Sequence, residues 1–181
     1  PNAYDTHCPV VPMREDSINF VGAKYPNREE TLQALVAAGL PVRAYGRAWS
    51  RHPYDILRTK QFKDSGVPAG RDVDRSEAYG IMASSPATLN IHNNQDGFTM
   101  RTFEAPGVGA LQVIDRADVD RYYIPGEEVL VYESIDELIE ICTRIFREPK
   151  WARQIREAGQ KRTLAEHTFD QRVKILEQLW A

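Results

Sequence analysis

Arg101 and Glu104 stand three residues apart, so on a helix both lie near one face. They follow a polar loop, His92 to Gly97, which itself follows the apolar stretch Thr88-Leu89-Asn90-Ile91. The plain reading of such a spacing is a surface ion pair worth roughly 0.2–1 kcal/mol. Their setting suggests more. A helix that opens towards a polar loop presents unpaired first-turn amides with partial positive charge, which suits an anion such as a phosphate. The amides at Gly97, Phe98 and Thr99 and the Arg101 guanidinium are the groups that can supply it. Lys24 and Arg28 offer two further cations just after an earlier apolar stretch, Ile18 to Gly22; the alternative for both is solvated surface charge.

Other reactive side chains point nowhere so definite. Gly22 stands alone, whereas a dinucleotide fingerprint needs three glycines in that turn, so a nicotinamide or flavin site is disfavoured. His92 is read as lining the loop and His167 as structural, since it precedes a helix cap far from the loop. His7 and Cys8 have no partner pair, Cys8 and Cys142 sit in no metal-type spacing, and no ligand cluster calls for a metal. Two distant cysteines fit a reducing, cytoplasmic setting.

These residues need elements to position them. Ser17 to Gly22 reads as a first strand. Asn27 with Glu30 forms a capping box for a helix carrying Leu32, Leu35 and Val36, which stops at Gly39. Pro41 to Tyr45 is the second strand, and a right-handed parallel crossover is the default for such a unit. Arg47 to Gly70 is read as one helix with loops, and a short strand falls within Val67 to Val73. Asp74 or Ser76 caps a helix with Ala78, Ile81 and Met82 inside. Thr88 to Ile91 is a buried strand, Thr99 caps the short helix with Arg101 and Glu104, Pro106-Gly107 ends it, and Ala110 to Ile114 is the next strand.

Beyond Asp115 come a polar segment with two tyrosines, the Pro125-Gly126 turn and an extended Val129 to Tyr132. Three helices follow: one capped by Ser134 with Glu137 and stopped by Pro149, one carrying Trp151, Ile155 and Ala158, and one opened by Thr168 with Gln171 and carrying Val173, Leu176, Leu179 and Trp180. This alternation predicts one α/β domain over 17–181 with a mostly parallel sheet of about five or six strands and a helical tail. Residues 1–16 read as an extended lead-in or linker.

Composition agrees with that class. The 181 residues are 42% apolar and 27% charged, enough for a full core. A net charge of -3 gives no global basic field for nucleic acid, and no apolar run approaches the roughly 18 residues that span a bilayer. The chain opens on Pro1 without Met, which suggests a piece of something longer.

Taken in order, these pieces resemble the nucleotide-sugar-binding half of two-domain GT-B glycosyltransferases of group 1, with the branch related to the spore maturation protein CgeB as the nearest pattern. The resemblance rests on Phe20-Val21-Gly22 with Tyr25-Pro26-Asn27-Arg28, Leu89-Asn90-Ile91, Arg101-Thr102-Phe103-Glu104 with Gly107 and Gly109, Pro125-Gly126-Glu127-Glu128, Ser134 to Leu138, and His167-Thr168-Phe169 with Arg172. It implies a Rossmann-like fold and a second, N-terminal domain that completes the cleft and holds the acceptor. Retaining enzymes of the group carry two glutamates with seven residues between them. Glu104 matches the second, which binds the donor's ribose hydroxyls; Asp96, one methylene shorter, stands where the first touches the transferred sugar. The group also grips the diphosphate with an Arg and a Lys after the first strand. Arg28 matches the Lys position, Ala23 stands at the Arg position, and Lys24 is the candidate replacement.

What the resemblance implies is transfer of a sugar from a nucleotide-diphosphate sugar, UDP- or GDP-linked, with retention and with no metal or other cofactor required. Cations and amides can stabilise the leaving diphosphate, and one carboxylate can accept from both ribose hydroxyls. The isolated chain, with half a cleft, is expected to be inactive. A non-catalytic nucleotide-sugar-binding module and a nucleotide-sugar epimerase on the same fold are the alternatives. A flavodoxin-like signalling domain is disfavoured, because no acidic cluster follows the first strand.

Overall fold

A computed structural model describes residues 2–93 and 96–180. Asn94 and Gln95 of the polar loop, Pro1 of the lead-in, Ala181 and the side chain of Leu179 lie outside the described residues. Six parallel strands form one sheet: β1 (Ile18–Val21), β2 (Val42–Tyr45), β3 (Ala69–Gly70), β4 (Thr88–Asn90), β5 (Gln112–Ile114) and β6 (Leu130–Val131). Their order is β3-β2-β1-β4-β5-β6. The helices are α1 (Pro26–Ala37), α2 (Pro53–Thr59), α3 (Arg75–Ser84), α4 (Arg101–Gly107), α5 (Ile135–Arg147), α6 (Pro149–Glu166) and α7 (Phe169–Trp180), with a 3-10 turn at Ala117–Arg121.

Strands flanked on both sides must bury both faces, and the sequence meets that need. Ile18, Phe20, Leu89 and Val113 join Leu32, Leu35, Leu138 and Ile145 in one core. Val21 and Ile114 join Tyr79, Met82, Phe103 and Tyr123 in the other. The chain winds outward from β1 to β2 and β3, then returns to β4 on the other side of β1. The carboxyl ends of β1 and β4 therefore flank the switch point where open α/β sheets bind ligands.

Several local expectations change. The Asn27–Glu30 capping box does not form. Pro26 occupies the first turn of α1, so Tyr25 is the N-cap and Asn27 already lies inside the helix. Asn27 Nδ2 donates instead to the His92 carbonyl, 2.8 Å away. Thr99 does not cap α4; Met100 stands at that position, and the Thr99 hydroxyl donates to Asn90 Oδ1 at 3.0 Å. A buried acceptor on the neighbouring strand outcompetes the helix end for that hydroxyl. The Asp74, Ser134 and Thr168 caps are in place. Pro149 marks the end of α5 and also sits in the first turn of α6.

The lead-in is bound to the domain at its start. Ala3 and Tyr4 are buried; Tyr4 donates from its amide to the His167 carbonyl at 2.8 Å and accepts from the Phe169 amide at 3.0 Å. Gly107 lets this happen, since a Cβ there would lie 2.3 Å from the Tyr4 ring. Gly46 does the same for the turn after β2: its φ is +149°, and a Cβ would lie 2.6 Å from the Gly22 carbonyl.

Candidate functional site

A cavity of about 370 Å³ opens at the carboxyl ends of β1 and β4. Gly22 and Arg28 come from the β1–α1 turn, Asn90 and Ile91 from the end of β4, Thr99, Arg101 and Glu104 from the approach to α4, and Asp74 and Arg75 from the start of α3. Three guanidiniums and two carboxylates therefore meet there.

Arg28 is buried against the Phe20 and Tyr25 rings, 5.2 and 4.9 Å from their centroids. Its Nε donates to the Ile91 carbonyl at 2.8 Å and its Nη1 to the Ala23 carbonyl at 3.0 Å. Burial lowers its pKa from the usual arginine value, although an arginine so placed stays charged. One strand end and the opening turn are thus held by the same fork.

Glu104 has a side chain only 3% exposed. Oε2 accepts from Arg101 Nη1 at 2.5 Å, Oε1 accepts from the Tyr79 hydroxyl at 3.3 Å, and Arg75 Nε lies 3.6 Å from Oε1. Burial, then the negative charge of Glu104, pushes the Tyr79 phenol well above its ordinary pKa, so it remains a donor. Arg75 is shared with Asp5, 3.5 Å away. A carboxylate offers about four lone-pair sites, and two are taken by Arg101 and Tyr79. With the Arg75 cation also against Oε1, the capacity that remains faces the cavity that Glu104 lines.

Asn90 is the keystone of the β4 end. Its Nδ2 donates to Thr102 Oγ1 at 3.0 Å and to Gln112 Oε1 at 3.1 Å, while its Oδ1 accepts from Thr99. This buried polar network fixes α4 to the sheet. Beside it, His92 Nδ1 lies 2.7 Å from Asp115 Oδ1, its amide donates to Asp115 Oδ2 at 2.7 Å, and its Nε2 accepts from the Thr99 amide at 3.4 Å. That amide is therefore engaged by the protein itself.

The remaining predicted residues lie elsewhere. Lys24 does not line this cavity: Nζ is 2.9 Å from Glu29 Oε1 and 5.6 Å from the centroid of the Trp49 ring. Asp96, Gly97 and Phe98 line a separate cavity of about 460 Å³ on the other flank of α4, so Asp96 and Glu104 share no cavity wall. Phe98 packs edge-on between His92 and Tyr122. A larger cavity, about 610 Å³, lies near the amino ends of β4 and β5 beside α5 and α6, away from this chemistry.

Arg75, Tyr79, Asn90 and the His92–Asp115 pair escaped sequence reasoning. Asn90 alone carried a signal, as an amide between Leu89 and Ile91 in a buried strand. Among the described residues no group of three or more His, Cys, Asp or Glu could hold a metal, and no helix is long and apolar enough to cross a membrane.

The chain belongs to the glycosyl transferase-like family, which matches residues 28–178. A comparison with curated proteins finds no match. Among solved structures the chain is similar to sucrose-phosphate synthase from Thermosynechococcus elongatus, with a TM-score of 0.69 and 16% identity over 99% of this chain and 52% of that one. It is similar to Anabaena HepE in complex with UDP-glucose, with a TM-score of 0.67 and 14% identity over 91% and 49%. The C-terminal CMP-Kdo binding domain of WaaA from Acinetobacter baumannii gives a TM-score of 0.57 and 14% identity over 82% and 89%. At these identities the likeness is one of fold, that of a GT-B glycosyltransferase half. The chain spans about half the length of the first two structures.

Proposed function

We propose that this member of the glycosyl transferase-like family is the donor-binding half of a glycosyltransferase, and that its donor is a nucleotide-diphosphate sugar. The observation that carries this reading is the cavity at the β1–β4 switch point, where Arg28 and Arg101 converge with the buried carboxylate of Glu104. Arg28 and Arg101 grip the diphosphate, and Glu104 accepts from the ribose diol with the lone pairs that Arg101 and Tyr79 leave open. Gly22 lets the diphosphate approach the turn after β1. Lys24, held by Glu29, has no part in this grip.

Chemistry follows from charge placement. Cleaving the anomeric C–O bond leaves negative charge on the diphosphate, and guanidiniums already in position stabilise it without reorganising. The finer assignments belong to the same proposal: a CgeB-like branch, a UDP- or GDP-linked hexose, a second Rossmann-like domain that brings the acceptor, a cytoplasmic setting, and retention as the family resemblance implies, with Asp96 outside the donor cavity and given no sugar contact in it. The UDP-glucose complex of HepE supports the donor class by likeness of fold. The 181-residue chain alone transfers no sugar on this reading.

Calorimetric titration of UDP, GDP and uridine into the chain tests it. A diphosphate nucleotide should bind well above the bare nucleoside. Equal or undetectable binding of all three would contradict the proposal.

A further inference from the structure

The second cavity, on the other flank of α4, is left without a ligand by the donor reading. Its wall carries Arg121 and Arg172, the carboxylates of Asp96 and Asp118, and the rings of Phe103 and Tyr122. Asp118 is already neutralised: Arg116 Nε and Nη2 each lie 2.7 Å from one of its oxygens. Arg121 makes no ion pair or hydrogen bond among the described residues and is exposed. Arg172 is held from behind, with Nη1 on the Glu166 carbonyl at 3.4 Å and Nη2 on His167 Nδ1 at 3.2 Å, while its Nε is buried without a partner. Two guanidiniums thus face the Asp96 carboxylate, whose charge also bears on Arg116. Cation forks of this kind match the geometry of a phosphate or carboxylate, and a carboxylate beside them accepts a hydroxyl.

We propose that this cavity is a second ligand site, which takes a small hydroxylated molecule bearing a phosphate or carboxylate: Arg121 and Arg172 hold the anion, and Asp96 accepts from a hydroxyl. The site does not depend on the donor reading. If both hold, its ligand is an anionic acceptor or part of one, bound across α4 from the nucleotide.

Glycerol 3-phosphate, glycerol and inorganic phosphate are the probes, titrated by NMR into the whole chain with and without saturating UDP. Glycerol 3-phosphate should bind saturably and more tightly than either fragment, and UDP should not displace it. Arg121→Ala should weaken it roughly tenfold, as for loss of a charge-assisted hydrogen bond, and leave UDP affinity unchanged. Arg121 is exposed, so the variant keeps its fold, which a thermal melt verifies; Asp96→Asn should weaken glycerol 3-phosphate relative to inorganic phosphate. No saturable binding, displacement by UDP, or unchanged affinity in Arg121→Ala overturns the site. Inorganic phosphate binding as tightly as glycerol 3-phosphate overturns the hydroxyl contact. The UDP titration on the same sample scores the donor reading separately.

Discussion

Arg101 Nη1 donates to Glu104 Oε2 over 2.5 Å inside the wall of the β1–β4 crevice, not on the protein surface. The spacing alone fits a solvated pair, yet α4 turns its Glu104 face towards α3 and the strand ends, where Tyr79 and Arg75 also meet the carboxylate. Removing one partner leaves the other's charge poorly compensated. A double-mutant cycle of Arg101→Ala and Glu104→Ala in urea should give a coupling of about 1.5–3 kcal/mol, more than an exposed pair yields. Coupling near zero would return the pair to the surface class. The same burial means that even Glu104→Gln should lower stability, so binding comparisons must use folded variant.

Arg28 should distinguish phosphate from nucleoside. Arg28→Ala is expected to weaken UDP about ten- to a hundredfold, by loss of a charge-assisted bond, and uridine much less. Lys24→Ala should leave UDP affinity unchanged, because its ammonium is committed to Glu29. Calorimetry on both variants checks the contrast; a larger loss from Lys24→Ala would reverse the assignment of the two cations.

Asn90 is expected to matter for folding as much as for the site. Asn90→Leu strands the Thr99, Thr102 and Gln112 side chains that it joins. Buried groups left unpaired cost about 1–3 kcal/mol each. Urea unfolding should show a loss of that order, and a near-neutral result would mean that the network adds nothing.

His167 should give the stability a pH dependence. Burial lowers its pKa below the ordinary value; the Tyr122 carbonyl, 3.0 Å from Nε2, opposes this, and the positive charge of Arg172 adds to it. Arg162 and Glu166 act more weakly in opposite senses. A histidine whose folded pKa is depressed favours the folded state in its neutral form. That stability is fully present above the unfolded pKa of about 6.5 and is lost as pH falls below it. Denaturation midpoints should therefore drop between about pH 7.5 and about pH 5.5, and His167→Gln should flatten the slope. An unchanged slope in the variant would assign the pH dependence to another group.

The sheet was legible because period and punctuation agree along this chain: buried runs such as Ile18 to Val21 alternate with helices ended by Gly39 and Gly107. Arg101 and Glu104 were legible for the same local reason. What escaped depends on distance in the fold. Nothing near Arg75 in sequence says that α3 will carry it to Glu104, and nothing near Lys24 says that Glu29 will reach back one helical turn to hold it. Caps failed where a tertiary partner competed, as Asn90 does for Thr99 and the His92 carbonyl for Asn27. The separation of Asp96 from Glu104 reflects how the loop enters α4, which spacing does not encode.

The ribose contact of Glu104 is the claim on which the donor reading turns. Calorimetric titration of UDP and its 2′,3′-dideoxy analogue into the wild type and into folded Glu104→Gln tests it directly. The wild type should prefer UDP by about 1–3 kcal/mol, the range for hydrogen bonds to a charged acceptor, and Glu104→Gln should lose most of that preference while keeping the affinity for the analogue. If the wild type binds the dideoxy analogue as tightly as UDP, Glu104 is no ribose clamp, and its buried pair with Arg101 is structural.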